Sequence, residues 1–259
     1  MILEDFHVHT TYCDGKNSPE EMVRAAIDLK MTRLGFSVHS YTDFDESFCI
    51  KKDKIADYKA EIRGLAKKYK DKIQILCGVE QEYFSEEPTD GFDYVIGSVH
   101  YVKKAGEFFD VDNTPEIFVN GVNKHYNGDF SACAEDYFAC VGDVVRKTGA
   151  DIIGHFDLIT KFNQDNCLFD TENPRYMAAA KKAVDSLLPC GKPFEVNTGA
   201  ISRGWRKEAY PEAWILKYIA QMGGRIVLSS DSHSAQTLCY RFEEYQQLVK
   251  ELGFDNLSF

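Results

Sequence analysis

Apolar residues along the chain fall into two alternating kinds of segment. Short β-rich runs are ILEDFHVH (2–9), RLGFSVH (33–39), IQILCGVE (73–80), DYVIGSVH (93–100), DIIGHF (151–156), PFEVN (193–197) and RIVLSSD (225–231). Their length and their β-branched and aromatic content predict strands. Between them, apolar positions recur at helical spacing over roughly 53–70, 115–126, 131–147, 173–188, 211–222 and 239–252. A further helix should start after Asn17-Ser18-Pro19, with Ser18 as cap and Pro19 in the first turn. Its apolar face would carry Met22, Ala25, Ala26 and Leu29. Strands alternating with helices predict parallel pairing and an α/β fold. Seven such units fit one closed barrel, a single domain over residues 1–259, better than two domains. An open doubly wound sheet is the alternative. No GxGxxG follows the first strand, so dinucleotide binding lacks its main signal.

Composition narrows the partners. The formal net charge of -11 repels phosphate backbones, and no long basic stripe offsets it, so no nucleic-acid partner is expected. The eight cysteines are scattered and form no CxxC pair. That argues against a disulfide framework and a thiolate zinc finger, and for reduced thiols in a cytoplasmic enzyme. MILEDF has no basic region followed by an apolar one, so no signal peptide is expected. No apolar run has the length of a membrane span, so no membrane partner is expected. The sequence carries no signal of oligomeric state.

The histidines change the picture. Of seven, only His125 falls within a predicted helix. His7, His9, His39, His100, His155 and His233 sit at or just beyond the C-terminal ends of predicted strands, as do Glu80 and Asp231. In barrels and open parallel sheets, active sites are built on that edge. Residues i and i+2 of a strand point the same way, so His7 and His9 can aim two imidazoles at one ion. Asp231 and His233 are expected to repeat that arrangement. Each residue alone has an ordinary reading: a satisfied core histidine, a turn carboxylate, or a helix cap for Asp231-Ser232-His233. Together with Asp14, they make nine candidate ligands, enough for two or three divalent ions of zinc, iron or manganese.

HVHTTYCDG, GFSVHS, GVE, GSVH, GHFD and SSDSH resemble, in order, the motifs of the polymerase-and-histidinol-phosphatase (PHP) family. PTDGFDYVIGSVHYV, IIGHFDLITKFN and FEVNTGAISRG are most similar to its stand-alone bacterial histidinol-phosphatases. The resemblance implies a distorted (β/α)7 TIM-like barrel with three metal ions. It implies His7, His9, Glu80 and Asp231 at the first ion, Glu80, His100 and His155 at the second, and Asp14, His39 and His233 at the third. The family often has Asp immediately before the residue matching His39, whereas this chain has Val38. A side chain there would not share the face of His39, so altered surroundings are expected rather than a lost ligand.

The implied reaction is hydrolysis of a small phosphorylated metabolite, L-histidinol phosphate, by metal-activated hydroxide attack on phosphorus. Lys161 and Arg203, each just after a predicted strand, are candidate phosphate ligands, although both also read as solvated loop charges. Asp231 or His233 could protonate the leaving oxygen. Tyr83, Phe84, Tyr101 and Asp112 are loop candidates for the imidazole and ammonium groups, each equally readable as loop packing. Three rivals stand beside this reading: a PHP phosphoesterase of nucleotides or oligonucleotides, a metal-dependent amidohydrolase, and a metal-binding interaction domain.

Overall fold

The computed structural model describes residues 3–254. Seven parallel strands pair in the order β1 (Glu4–Asp5), β2 (Arg33–His39), β3 (Gln74–Glu82), β4 (Tyr94–Ser98), β7 (Ile152–Ile153), β8 (Phe194–Asn197) and β9 (Ile226–Ser229). The ends of this sheet meet just past β1 and β9. There His9 N–H donates to Ser232 O at 2.9 Å and Ser232 N–H donates to His7 O at 3.0 Å. The result is the expected barrel. Between β4 and β7 an antiparallel hairpin, β5 (Tyr101–Lys104) and β6 (Glu107–Asp110), stands outside it.

Nine helices of the described residues complete the fold: α1 (Pro19–Asp28), α2 (Ile55–Lys68), α3 (Pro115–Tyr126), α4 (Phe130–Val141), α5 (Val144–Thr148), α6 (Pro174–Leu187), α7 (Gly199–Ser202), α8 (Ala213–Gln221) and α9 (Phe242–Glu251). Helix α1 starts as its sequence dictates. The Ser18 hydroxyl accepts from Glu21 N–H, the Glu21 carboxylate accepts from Ser18 N–H, and Pro19 occupies the first turn. Most of the core lies between the helices and the outer face of the sheet.

A small apolar plug, Phe6, Tyr94, Ile96, Ile152 and Val227, fills the barrel interior. Tyr94 drives through it, its hydroxyl donating to Phe6 O at 2.5 Å and Phe36 O at 2.9 Å. Gly35 and Gly78 make room for that ring. A Cβ on Gly78 would lie 2.3 Å from Tyr94 Cζ. With this end closed, polar residues collect at the other mouth.

Several boundaries differ from expectation. The first run is a strand only at Glu4–Asp5, with an isolated bridge at Val8; Ile2 lies outside the described residues, as do both ends of the expected 1–259 domain. The run 93–100 ends as a strand at Ser98, and His100 sits in the turn before β5. The hairpin β5–β6 is an addition. Its turn needs two left-handed residues, and Ala105 (φ 51°) and Gly106 (φ 87°) supply them, so the usual Asn-Gly signal is absent. The expected helix 131–147 is two, broken at Gly142–Asp143, where a poor helix former approaches Ala183 of α6. Strand β9 stops at Ser229, short of the expected 231.

Candidate metal centre

All nine expected ligands converge at the C-terminal mouth of the barrel. Glu80, fully inside β3, is the hub. Its Oε1 lies 2.8 Å from His155 Nε2 and 3.3 Å from His100 Nε2. Its Oε2 lies 2.9 Å from His39 Nδ1, 3.2 Å from His7 Nε2 and 3.6 Å from His9 Nε2. Asp231 Oδ1 closes the group at 3.2 Å from His9 Nε2 and 3.8 Å from His7 Nε2. Asp14, in the turn after His9, gathers a second group. Its Oδ2 is 3.1 Å from His233 Nε2, and its Oδ1 is 3.7 Å from both His9 Nδ1 and His39 Nε2.

Among the described residues, four overlapping sets are compact enough to hold an ion. They are His7–His9–Asp231, His7–Glu80–His155, His39–Glu80–His100 and His9–Asp14–His39–His233. His7 and His9 thus share a set, as strand spacing predicts. His39 faces both Glu80 and Asp14, rather than Asp14 and His233 alone. The expected strand-like repeat at Asp231 and His233 does not occur. Asp231 adopts a left-handed φ of 47° beyond the end of β9, which turns it toward His9 while His233 turns toward Asp14. Val38 is fully buried among apolar residues, on the face of β2 opposite His39.

The donor set fits divalent ions. His7 Nε2, His9 Nε2 and Glu80 Oε2 are buried atoms with no partner in hydrogen-bonding geometry, although they face one another. Groups left so without an ion would carry the full cost of desolvation. Burial raises the Glu80 carboxyl, but His7, His39 and His100 together hold it well below the usual carboxylate range. Burial, with His233 and His39 close by, pushes His9 down to about 3, which keeps its ring neutral and able to donate a lone pair.

Further carboxylates that sequence reasoning overlooked stand behind the ligands. Glu82 Oε2 lies 2.9 Å from His100 Nδ1, and Glu195 Oε1 lies 2.6 Å from His7 Nδ1. Both were signalled. Glu80 and Glu82, like Glu195 and Asn197, are polar residues two apart in apolar strands, so each pair shares one inward face. Cys13 Sγ lies 3.5 Å from His9 Nδ1.

A cavity of about 360 Å³ opens above the cluster. Arg203, just past α7, lines it; Nη1 donates to Asp231 O at 2.9 Å, Nη2 contacts Asp231 Oδ2 at 2.9 Å, and His233 Nδ1 is 3.1 Å from Nη1. Lys161 also lines it, held by Asp112 through the backbone O at 2.5 Å and Oδ2 at 3.1 Å. Of the four loop candidates, only Asp112 lines the cavity. Tyr83 bonds Asp143, Tyr101 bonds Asp45, and Phe84 packs on Phe108. The aromatic wall is instead Phe48, which meets the His39 ring edge-on at 4.9 Å.

A parallel barrel with imidazoles and carboxylates gathered at its C-terminal mouth is the architecture of a barrel metallohydrolase. Residues 5–199 match the PHP domain model, and the chain belongs to the PHP domain family. A probable histidinol-phosphatase of Deinococcus radiodurans is 30% identical, covering 99% of this chain and 96% of that protein. The histidinol-phosphatase of Bacillus subtilis is 24% identical, covering 95% and 98%. The fold is shared with a crystal structure of histidinol phosphate phosphatase from Lactococcus lactis, complexed with zinc, L-histidinol and phosphate (TM-score 0.72, 21% identity, covering 98% of this chain and 95% of that one). It is also shared with a putative histidinol phosphatase from Listeria monocytogenes (TM-score 0.82, 21% identity, covering 93% and 99%).

Proposed function

We propose that the protein is a metal-dependent phosphomonoester hydrolase that converts L-histidinol phosphate to L-histidinol and phosphate, a step of histidine biosynthesis. One observation carries the reading beyond family membership. Two cations, Arg203 and Lys161, line the same small cavity as the ligand cluster, so a phosphoryl group can meet both. The relatives named histidinol-phosphatase match over nearly the whole chain, which supports the same substrate.

Three divalent ions, of zinc, manganese or iron, fit the donors. His7, His9, Glu80 and Asp231 would hold one, Glu80, His100 and His155 a second, and Asp14, His39 and His233 a third. Bound there, they would bring water toward deprotonation at neutral pH and offset charge on the phosphoryl oxygens. The chain's own groups do the rest. Arg203 presents a planar fork to two phosphoryl oxygens and Lys161 a point charge. Arg203 also contacts Asp231 and His233, the two candidates to pass a proton to the leaving oxygen. All eight cysteines are free thiols and no helix among the described residues is long and apolar enough to cross a membrane, which supports a cytoplasmic enzyme.

The test is a parallel assay of L-histidinol phosphate, a nucleoside monophosphate, a dinucleotide ester and a cyclic amide, with metal content counted. Phosphate should be released fastest from L-histidinol phosphate, and release should stop on chelation. Preference for the dinucleotide ester or the amide would overturn the assignment.

A further inference from the structure

Strand β8 provides none of the nine ligands, yet it touches the ends of three strands that do. Glu195 is fully buried, and both its oxygens are used. Oε1 lies 2.6 Å from His7 Nδ1. Oε2 accepts from the backbone N–H of His155 at 2.8 Å and from Asn197 Nδ2 at 2.9 Å. Asn197 Nδ2 in turn lies 3.4 Å from Asp231 Oδ2. One carboxylate therefore ties His7, beyond β1, to His155, beyond β7, and these are the two histidines of the compact set His7–Glu80–His155.

The chemistry of that contact is specific. A neutral imidazole has one ring proton, and a carboxylate can only accept. Glu195 at Nδ1 therefore fixes the proton there and leaves the Nε2 lone pair free. That Nε2 is the buried, unpartnered atom facing Glu80. His9 Nδ1 has the Cys13 Sγ thiol at 3.5 Å and Asp14 Oδ1 only at 3.7 Å, and His155 Nδ1 has no hydrogen-bond partner. A purely structural role explains the site poorly. A buried ion pair can often be replaced by packed apolar groups without loss of stability, so a fully buried Glu at this point needs another reason.

We propose that Glu195 is the positioning residue of the metal centre: it acts through the His7 ring and the His155 backbone to aim both ligands of the Glu80 set. The proposal rests on the reading of the cluster as a metal centre, and is independent of which phosphate ester is the substrate.

The experiment is zinc titration of chelator-stripped protein against a chromophoric competitor, with thermal unfolding measured with and without zinc. Glu195→Gln keeps the size of the side chain and removes its charge. It should fold, with a zinc-free melting temperature at or somewhat below that of the wild type, because its amide NH2 replaces one of the two acceptor oxygens. Its tightest zinc affinity should fall by about 10- to 100-fold, and the zinc-induced rise in melting temperature should shrink. Glu195→Asp, which keeps the charge but is too short to span His7 and His155, should lose affinity likewise and serves if the Gln variant fails to fold. Wild-type affinity and stoichiometry in both variants would overturn the proposal. A fall in zinc-free melting temperature with an unchanged zinc-induced rise would do the same, since it leaves only a structural role. A wild type that takes up no zinc would instead defeat the metal-centre reading itself.

Discussion

Glu80 and His155 meet at the mouth of the barrel, Oε1 2.8 Å from Nε2, although 75 residues separate them in sequence. Glu80 Oε2 turns the other way, toward His7, His9 and His39. One carboxylate thus stands between two halves of the centre, and neither half is complete without it.

Replacing Glu80 with Gln should therefore disturb more than one ion. Turnover should fall on the order of 10²-fold or more, and metal content should drop by more than one equivalent. His100→Ala should remove a single ligand and lower metal content less. Elemental analysis of both purified variants beside steady-state assays makes the comparison. A Glu80→Gln protein with full metal content and turnover would be fatal to the shared-ligand scheme.

The ions should not leave together. Asp14 and His233 side chains are 35% and 20% exposed, whereas those of His7 and Glu80 are fully buried. Solvent reaches the Asp14–His39–His233 group first, and its carboxylate comes from a turn rather than a strand. Brief treatment with a chelator should release one ion quickly and the rest slowly. Asp14→Ala should abolish the quick phase alone. Single-phase release from the wild type would contradict this order.

Much of this centre was legible in the sequence because strand periodicity places residues without tertiary information. His7, His9, His39 and Glu80 follow from it directly. Asp231 reads as a strand-end residue, but its left-handed φ breaks the alternation, so the expected repeat of the His7–His9 arrangement with His233 was not legible. The hairpin β5–β6 was hidden by an Ala-Gly turn in place of Asn-Gly. Phe48 was invisible for another reason: it lies in the loop between β2 and α2, and only packing against His39 brings it to the cavity wall. Tyr83 and Tyr101 looked equally suitable and are instead tied to Asp143 and Asp45.

Arg203 and Lys161 should differ in what their loss does. Arg203 contacts Asp231 and His233 as well as lining the cavity, so Arg203→Lys removes a fork that one ammonium cannot replace. Turnover and phosphate inhibition should both weaken, each by about 10-fold or more. Lys161 touches only Asp112 among the polar groups of the cavity, so Lys161→Ala should raise KM and the phosphate inhibition constant while largely sparing turnover. Equal effects of the two variants on kcat would show that neither role has been assigned correctly.

Asp5 offers a test of the barrel mouth without metal or substrate. It is fully buried and accepts from Ser230 N–H at 3.1 Å, Cys239 N–H at 3.2 Å, His7 N–H at 3.3 Å and the Ser230 hydroxyl. Burial pushes its carboxyl from 3.8 up to about 6, with the hydrogen bonds from Ser230, Cys239 and His7 pulling the other way. A carboxyl with a raised folded pKa binds its proton more tightly in the folded state. Its contribution to stability is full below the unfolded pKa of 3.8 and is lost as pH rises through about 6. Asp5→Asn keeps the size of the side chain but cannot titrate. In chelator-treated protein, wild-type stability relative to Asp5→Asn should therefore decline as pH rises from about 4 to about 7, and level off above that. Urea unfolding of both proteins across that range measures the difference directly. Parallel stability curves would mean that Asp5 is ionised throughout, and that its four donors outweigh its burial.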